Sequence, residues 1–415
     1  MLLKESPDPS PTWLCAQIGA REHYAVPRAL FQAGVLERLF TDCWVPPPSL
    51  RAHLIPWQRL KARHHSDLRQ ARVSCPKLGS LLFELSSRLP SRPRGWSHTL
   101  ARNAWFQRWA CSQLRRIQAD PWKGVHPAHR TLFSYSYAAR SIFQLARQRG
   151  WYCVLGQIDP GPAEEALVAA EHRRYPLLCS SWQPAPATYW QQWAHELALA
   201  DQIVVNSPWS RQCLLKAGVP ARKLRIVPLV YESSAIHQPP TSQPPAPSCP
   251  SFQLLFLGTI GLRKGIGRLL EAMHQLETQP VQLILAGPSE LDPQAWAAAP
   301  NISWLGPVPR SQVAQLYRRA HAMILPTISD GFAITQLEAL AYGCPVIASQ
   351  FCGEVVSPGV NGWLLPSIEP EAIADTIRLA MGTAQALPRP LQRPCYGLSD
   401  LADALQQLSL PKVLQ

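Results

Sequence analysis

The sequence predicts an α/β protein made of two parallel-sheet domains that face a cleft. Short apolar segments alternate with amphipathic helical segments along most of the chain, as expected for a mostly parallel sheet. The alternation stops once, in a proline-rich stretch from residue 232 to residue 250, which we interpret as a surface linker. A length of 415 residues agrees with two domains. Ligands bind at the carboxyl ends of parallel strands, so the cleft is the expected site.

The first predicted domain runs from residue 1 to residue 231. Its strand candidates are 13–18, 131–135, 151–158, 201–206 and 224–229. Helices are expected at 24–34, at 137–149 and after Ser207-Pro208, where serine can cap the first turn and proline suits it.

The second predicted domain runs from residue 251 to residue 415. Its strand candidates are 252–257, 281–286, 302–305, 322–325 and 345–348. A helix is expected at 266–276, since its apolar residues recur at helical spacing.

Basic residues are concentrated in one part of the chain. Residues 51–150 contain 19 lysines and arginines against three acidic residues, an excess larger than the net charge of +13 of the whole chain. Such a stretch would attract a phosphate-bearing partner or an anionic membrane surface. A solvated basic face without a dedicated partner is the alternative. Nucleic acid is not expected, since no aromatic-rich binding module is apparent.

The cysteines and the N-terminus indicate a cytoplasmic protein. The 11 cysteines form no close pairs and follow no secretion signal, which argues against a disulfide framework. No apolar run approaches the ~20 residues of a spanning helix, so any membrane contact is expected to be peripheral, at the inner membrane surface. Zinc-binding pairs and an Asp-x-Asp triplet are lacking, so neither a metal nor another cofactor is expected.

A first candidate site lies in the loop after the strand at 252–257. The loop from Gly258 to Gly265 has three glycines and the adjacent cations Arg263 and Lys264. Glycines let the backbone approach a phosphate and the cations can neutralise it. The order of residues matches neither a P-loop nor a dinucleotide fingerprint. A tight turn with surface cations is the simpler explanation of the loop.

A second candidate site contains two carboxylates. After the strand at 322–325, we expect Asp330-Gly331 to open a helix whose first amides, from Gly331 to Ala333, would be unpaired donors. Glu338 follows within an apolar stretch, where an unpaired charge is costly. The hydroxyl pair of a ribose would supply donors for this carboxylate. Asp330 as a helix cap and Glu338 as a solvated residue are the simpler alternatives.

Together these two segments resemble the retaining glycosyltransferases of the GT-B fold, family 4 in particular, in which two Rossmann-like domains face a cleft. In that family a Gly-Arg loop with a Lys-Gly pair holds the donor diphosphate, and two carboxylates separated by seven residues hold the sugar and ribose. The segments 200–207, 218–228 and 353–366 also resemble the family's, so the similarity covers roughly residues 195 to 380.

The resemblance implies a role for each matching residue. Lys264 falls on the diphosphate-binding lysine, Asp330 on the carboxylate near the donor sugar, and Glu338 on the ribose-binding carboxylate. Further donor contacts are expected from the remaining residues of the two motifs, namely Gly258, Arg263, Gly331, Phe332, Ala333 and Ile334. The resemblance also implies that the final helix, at 399–408, packs back on the first domain.

Three positions depart from the family pattern. Thr259 stands where the phosphate-binding arginine is expected, and Arg263 is the candidate substitute. Asp330 is one methylene shorter than the usual glutamate, and Ala333 replaces a glycine.

The family's first-domain histidine has no secure counterpart. The strand at 131–135 ends in Ser134-Tyr-Ser-Tyr, where a His-x-His motif would be expected. His23, in the first loop, and Asp159, at a strand end, are the candidates to contact the acceptor. A surface histidine is the alternative explanation for His23.

The sequence therefore predicts transfer of a sugar from a nucleotide-diphosphate sugar to a sugar or lipid-linked acceptor, with retention of configuration, in polysaccharide or glycolipid synthesis. Asp330, Lys264 and His23 are the predicted catalytic residues. The main alternative is a non-catalytic module that binds a nucleotide sugar or an anionic membrane. An oxidoreductase on the same units is disfavoured, because the dinucleotide fingerprint is missing at the first strand.

Overall fold

The computed structural model describes residues 12–46, 63–76, 95–117, 130–179, 181–232, 251–388, 391–392, 394 and 396–408. Two parallel sheets account for its strands, seven in the first half of the chain and six in the second. The α/β fold class predicted from the sequence is confirmed. Apart from Glu232, the predicted linker lies outside the described residues.

The first sheet has the order β3-β2-β1-β4-β5-β6-β7, and every neighbouring pair is parallel. Its strands are β1 (Thr12–Gln17), β2 (Leu36–Thr41), β3 (Val73–Ser74), β4 (Arg130–Tyr135), β5 (Tyr152–Gly156), β6 (Gln202–Val205) and β7 (Leu224–Ile226). The helices of this half are α1 (Ala25–Gln32), α2 (Trp96–Leu114), α3 (Arg140–Gln148), α4 (Pro162–Arg174), α5 (Ala187–Leu199) and α6 (Pro208–Lys216).

The second sheet has the order β10-β9-β8-β11-β12-β13 and is also parallel throughout. Its strands are β8 (Phe252–Leu257), β9 (Val281–Ala286), β10 (Ile302–Trp304), β11 (Ala322–Leu325), β12 (Val346–Ala348) and β13 (Gly362–Leu364). The helices of this half are α7 (Ile266–His274), α8 (Arg310–Arg319), α9 (Thr335–Ala341), α10 (Pro370–Thr383) and α11 (Leu398–Gln406).

Helix α11 belongs to the second half of the chain but packs against the first. Leu401 and Leu405 are buried in the same apolar cluster as Trp13 of β1 and Leu30 of α1. The chain therefore crosses back to the first sheet after completing the second.

Helix α4 of the first half contacts α7 of the second half. Arg268 of α7 donates to both carboxylate oxygens of Glu171 on α4, at 2.8 and 2.9 Å. A Cβ added to Gly267 would lie 2.7 Å from the Tyr175 ring, so the first turn of α7 accommodates Tyr175 by having no side chain there. These contacts fix the position of α4 against the first turn of α7.

Three further observations bear on the sequence predictions. Within the described ranges, no helix combines the length and the hydropathy needed to cross a membrane. No two of the nine described cysteines form a disulfide. The described part of the chain also brings together no group of three histidine, cysteine or acidic side chains suited to a metal ion.

Candidate active site

The two loops singled out in the sequence meet at the carboxyl edge of the second sheet. The first loop, residues 258–265, follows β8, and the second connects β11 to α9. The backbone N–H of Ile328 in the second loop donates to the carbonyl oxygen of Arg263 at 3.0 Å. Gly265 has a φ of +74°, and a Cβ there would lie 1.9 Å from the carbonyl oxygen of Pro326, so this contact requires glycine.

The two cations of the first loop converge on the carboxylate of Asp330. Lys264 Nζ forms an ion pair with Asp330 Oδ2. Arg263 Nη1 lies 3.6 Å from the same oxygen and donates to the carbonyl of Ser329 at 3.1 Å. Burial disfavours the Asp330 carboxylate, but Lys264 and Arg263 outweigh that effect and hold its pKa below the ordinary value. The three side chains form a cluster with a net positive charge at the strand ends.

The predicted helix start at Asp330-Gly331 is wrong, since α9 begins at Thr335. Ala333 has a φ of +60°, a left-handed conformation that costs a residue with a Cβ about 1 kcal/mol or more. Ile334 then returns to helical angles and caps the helix. The expected first-turn amides therefore belong to a loop.

Hydrogen bonds to the segment after β12 and to the carboxylate of Asp330 hold that loop in place. The backbone N–H of Asp330 donates to the carbonyl of Phe351, and the N–H of Gly353 donates to the carbonyl of Phe332, both at 2.9 Å. The N–H of Phe332 donates to the Asp330 carboxylate. The loop thus presents a fixed carboxylate beside two cations.

Glu338 lies in the middle of α9 between the buried residues Leu337 and Ala339 and is itself only partly buried. The hydroxyl of Tyr317 donates to Glu338 Oε2 at 3.2 Å. Burial raises the pKa of Glu338, while the Tyr317 donor and the charge of Arg310 act in the opposite direction. Tyr317 thus supplies one of the hydrogen-bond donors that the sequence analysis expected this carboxylate to need.

The segment that follows β5 in the first half touches the Asp330 loop directly. A Cβ on Gly331 would lie 2.4 Å from the carbonyl oxygen of Ile158. The indole Nε1 of Trp209, at the start of α6, donates to the hydroxyl of Ser329 at 3.0 Å. The candidate site therefore has walls from both halves of the chain.

Asp159 follows Ile158 and accepts three hydrogen bonds. Its donors are the hydroxyl of Tyr137, Nε2 of Gln157 at 3.2 Å and the backbone N–H of Gly161 at 2.8 Å. Burial raises the pKa of Asp159, and the donors and the charge of Arg263 act against that rise. Asp159 is thus a positioned carboxylate in the wall that the first half supplies.

His23 lies in a left-handed turn after β1 and faces the second half of the chain. Glu22, His23 and Tyr24 have φ values of +52°, +51° and +61°, although none is glycine. Strain of this kind concentrates at functional sites. His23 Nε2 lies 3.2 Å from Arg310 Nη1, and burial together with the charge of Arg310 lowers the pKa of the imidazole. His23 is therefore mainly neutral at pH 7.

A family model matches the second half of the chain. The model described as glycosyl transferases group 1 matches residues 251–382, which contain both loops, Asp330 and Glu338. This part of the chain is therefore similar to the group 1 glycosyltransferases.

Two curated relatives illustrate how far the sequence similarity extends. The amylovoran biosynthesis glycosyltransferase AmsK of Erwinia amylovora is 24% identical over 211 residues, which cover 45% of this chain and 49% of AmsK. A D-inositol 3-phosphate glycosyltransferase of Acidothermus cellulolyticus is 26% identical over 310 residues, 64% of this chain and 67% of that protein. The aligned part of the chain spans about half the length of AmsK.

Solved structures share the fold over nearly the whole chain. Sucrose-phosphate synthase from Thermosynechococcus elongatus superposes with a TM-score of 0.59 at 18% identity, covering 96% of this chain and 94% of that one. WaaG, a glycosyltransferase involved in lipopolysaccharide biosynthesis, gives 0.55 at 15% identity over 96% and 95%. Anabaena HepE, solved in complex with UDP and glucose, gives 0.53 at 13% identity over 96% and 95%. Identities this low show the fold alone, and it is the GT-B fold predicted from the sequence.

The structure also locates the departures from the pattern of the group 1 glycosyltransferases. Thr259 is exposed, whereas Arg263, four residues later, lies against Asp330 and Ser329. Gly258 has a φ of +146° at the end of β8, and its amide donates to the carbonyl of Ala286 at 3.0 Å.

Three side chains that line this candidate site were not predicted from the sequence. They are Tyr317 and Arg310 of α8, next to Glu338 and His23, and Glu164 of α4, which lies 3.9 Å from Arg263. Helix α8 was not predicted, so nothing in the linear sequence placed its residues near α9. Only its position shortly after Asp159, at the end of a predicted strand, could have indicated that Glu164 lies near the site.

Proposed function

We propose that this chain transfers a sugar from a nucleotide-diphosphate sugar to an acceptor hydroxyl, with retention of configuration, in polysaccharide or glycolipid synthesis. The observation that carries the proposal is the cluster of Lys264, Arg263 and Asp330 at the carboxyl edge of a parallel sheet, within the residues that match the group 1 glycosyltransferase model. A cation pair beside a carboxylate at that edge suits a diphosphate linked to a sugar.

In the proposed complex, Lys264 and Arg263 bind the donor diphosphate, and Asp330 accepts hydrogen bonds from hydroxyls of the donor sugar. The ion pair between Lys264 and Asp330 supports this arrangement, because it sets cation and carboxylate side by side. Arg263 takes the role of the arginine that Thr259 replaces. Glu338 accepts from the ribose hydroxyls, and Gly258, Gly331, Phe332, Ala333 and Ile334 form the backbone wall.

The proposed chemistry relies on stabilising the leaving group. Negative charge develops on the diphosphate as the glycosidic bond breaks, and Lys264 and Arg263 oppose it from fixed positions. The departing diphosphate accepts the proton of the attacking hydroxyl, which approaches from the same face. The proposal includes no metal ion, since the two cations provide the compensating charge.

The first half is proposed to bind the acceptor. His23 and Asp159 lie at its carboxyl edge, and the neutral imidazole of His23 can hydrogen-bond a sugar hydroxyl. A sugar or lipid-linked acceptor, a cytoplasmic location and peripheral contact with an anionic membrane remain parts of the proposal.

The test begins with a thermal-shift screen against uridine, guanosine and adenosine diphosphate sugars, followed by an assay for nucleoside diphosphate release with a panel of sugar and lipid-linked acceptors. We expect one donor to raise the melting temperature and to be turned over in the presence of acceptor. The second candidate function is a module that binds a nucleotide sugar without turnover. Thr259, in place of the usual arginine, is the observation that favours it. Binding with no release across the panel would select that candidate, and no binding would reject both.

A further inference from the structure

Glu164 reaches from the first half of the chain to the cations proposed to bind the donor diphosphate. Its Oε1 lies 3.9 Å from Arg263 Nη1, and the hydroxyl of Ser329 lies within hydrogen-bonding reach of the carboxyl group. The second oxygen, Oε2, is buried and has no hydrogen-bond partner in the structure. A buried carboxylate oxygen without a donor is costly, so this atom is the natural place for a proton or a ligand.

The neighbouring Glu165 shows that helix position alone does not explain this contact. Both glutamates lie in the first turn of α4, where negative charge is generally favourable. Glu165 turns away from the site and accepts from the backbone N–H of Ala185 and from Nε1 of Trp190. Of the two, only Glu164 faces the loop of Arg263.

The charges around Glu164 favour its neutral form when a diphosphate is present. Arg263 and the carboxylate of Asp330 face it from the second half, and the first half places Asp159 and Cys213 of α6 near it. Burial raises the pKa of Glu164 to about 7, with the two carboxylates acting in the same direction and Arg263 opposing them. A diphosphate on Arg263 and Lys264 would add further negative charge and raise that pKa more.

Asp159 is the other carboxylate of the first half at this site, but it is less suited to take up the proton. It accepts three hydrogen bonds, which stabilise the charged form. Glu164 has no comparable set of donors.

We propose that Glu164 is a donor-binding residue contributed across the cleft, and that in its protonated form it donates a hydrogen bond to a diphosphate oxygen beside Arg263. The inference rests on the proposed function. It adds a contact from the first half of the chain to the donor diphosphate, whose other proposed contacts all come from the second half. The carboxylic acid adds a donor where Thr259 replaces the usual arginine, and it adds no negative charge.

The test is isothermal titration of the full chain with UDP-glucose, and with GDP-mannose and ADP-glucose if UDP-glucose does not bind. The phosphates of these probes have no ionisation near neutral pH. For the wild-type chain we expect affinity to fall above about pH 7, approaching tenfold per pH unit, as for a single proton. At pH 8 binding should take up protons, approaching one per donor, measured by repeating the titration in buffers of different ionisation enthalpy.

Three variants separate this role from a structural one. Glu164→Gln keeps a neutral hydrogen-bond donor, so its affinity for the donor should equal that of wild type at pH 6. Between pH 6 and pH 9 its affinity should not fall in the way that ionisation of Glu164 lowers the affinity of wild type. Glu164→Ala should bind about tenfold more weakly at pH 6, as expected for the loss of one hydrogen bond. Glu165→Gln, with the same charge change one residue away, should keep the wild-type pH profile.

The outcomes also separate this inference from the proposed function. A wild-type chain that binds none of the three nucleotide sugars overturns both. Binding with the same pH profile and proton uptake in wild type and Glu164→Gln overturns only the role of Glu164. A loss of affinity in Glu164→Gln at pH 6 equal to that in Glu164→Ala also overturns it.

Discussion

At the scale of single residues, Lys264 is the side chain on which the proposed chemistry depends most. Its ammonium group contacts Asp330 and lies next to Arg263, so it is held in place before any donor arrives. We expect Lys264→Ala to lower kcat by about 10²–10³-fold, the usual cost of removing one fixed group that stabilises developing charge. The measurement is nucleoside diphosphate release at saturating donor.

The control for this prediction is Lys216→Ala, which removes an exposed lysine at the end of α6. It should retain wild-type activity. Lys264→Ala should unfold cooperatively, because Arg263 continues to neutralise Asp330. A Lys264→Ala chain with full activity would refute the assignment of the donor site.

Glu338 is predicted to act on donor affinity. Its carboxylate accepts one hydrogen bond from Tyr317 within the protein, and the ribose hydroxyls are proposed to supply others. We expect Glu338→Ala to abolish transfer and donor binding with the chain still folded. Tyr317→Phe removes only the protein's own donor and should weaken binding by about 1 kcal/mol, five- to tenfold.

Titration of the donor into both variants checks this prediction, with circular dichroism to verify that each is folded. Equal losses in the two variants would contradict it, because Tyr317 would then act as more than a support for the carboxylate. Unchanged affinity in Glu338→Ala would remove Glu338 from the site.

At the scale of helices and strands, the sequence predicted the second sheet better than the first. Strands β8, β9 and β11 have the predicted bounds because each is a mainly apolar run, interrupted only by Gln253 in β8 and Gln282 in β9. Strand β2 was missed because Glu37 and Arg38 interrupt its apolar pattern. In the structure Glu37 pairs with Arg130 of β4 at 2.9 Å, a contact distant in sequence.

Helix α9 shows why the candidate site could be predicted only in part. The residue types and the spacing from Asp330 to Glu338 identified the segment. The start of the helix was placed five residues too early, because the left-handed conformation of Ala333 and the hydrogen bonds to Phe351 and Gly353 depend on tertiary contacts. Glu164 could not be placed for the same reason.

Helix α3 is capped from another helix, and this gives a prediction about stability. Glu196 of α5 is buried and accepts from the backbone N–H groups of Tyr137, Ala139 and Arg140, at or before the first turn of α3. Glu196→Ala leaves these donors without an acceptor, so we expect it to lower the free energy of unfolding by about 2–4 kcal/mol at pH 5. Urea denaturation measures the loss, and His195→Ala, at the exposed neighbouring position, is the control.

The cost of Glu196→Ala should depend on pH. Burial raises the pKa of Glu196 from 4.5 to about 7, so the folded chain binds the proton more tightly than the unfolded chain does. The resulting stabilisation is fully present below pH 4.5 and is lost as the pH rises through 7. The difference between wild type and Glu196→Ala should therefore narrow by about 1–3 kcal/mol from pH 5 to pH 8. A constant difference would contradict the raised pKa.

At the scale of the whole molecule, the halves are joined both at the site and away from it. Close to the site, Gly331 approaches Ile158 and Glu164 approaches Arg263. Farther away, Arg268 pairs with the buried Glu171, and α11 packs on α1. A donor bound at the carboxyl edge of the second sheet is thus expected to lie next to residues at the carboxyl edge of the first sheet.

The return of α11 to the first half predicts that this helix stabilises the first half of the chain. Leu405 is fully buried among residues of β1 and α1, whereas Leu379 on α10 is 54% exposed. We expect Leu405→Ala to cost about 2–5 kcal/mol, the usual range for a buried leucine, and Leu379→Ala less than about 0.5 kcal/mol. Hydrogen exchange should show the lost protection in β1 and α1, far along the sequence from position 405. Loss of protection confined to the second sheet would instead mean that α11 stabilises the half of the chain to which it belongs in sequence.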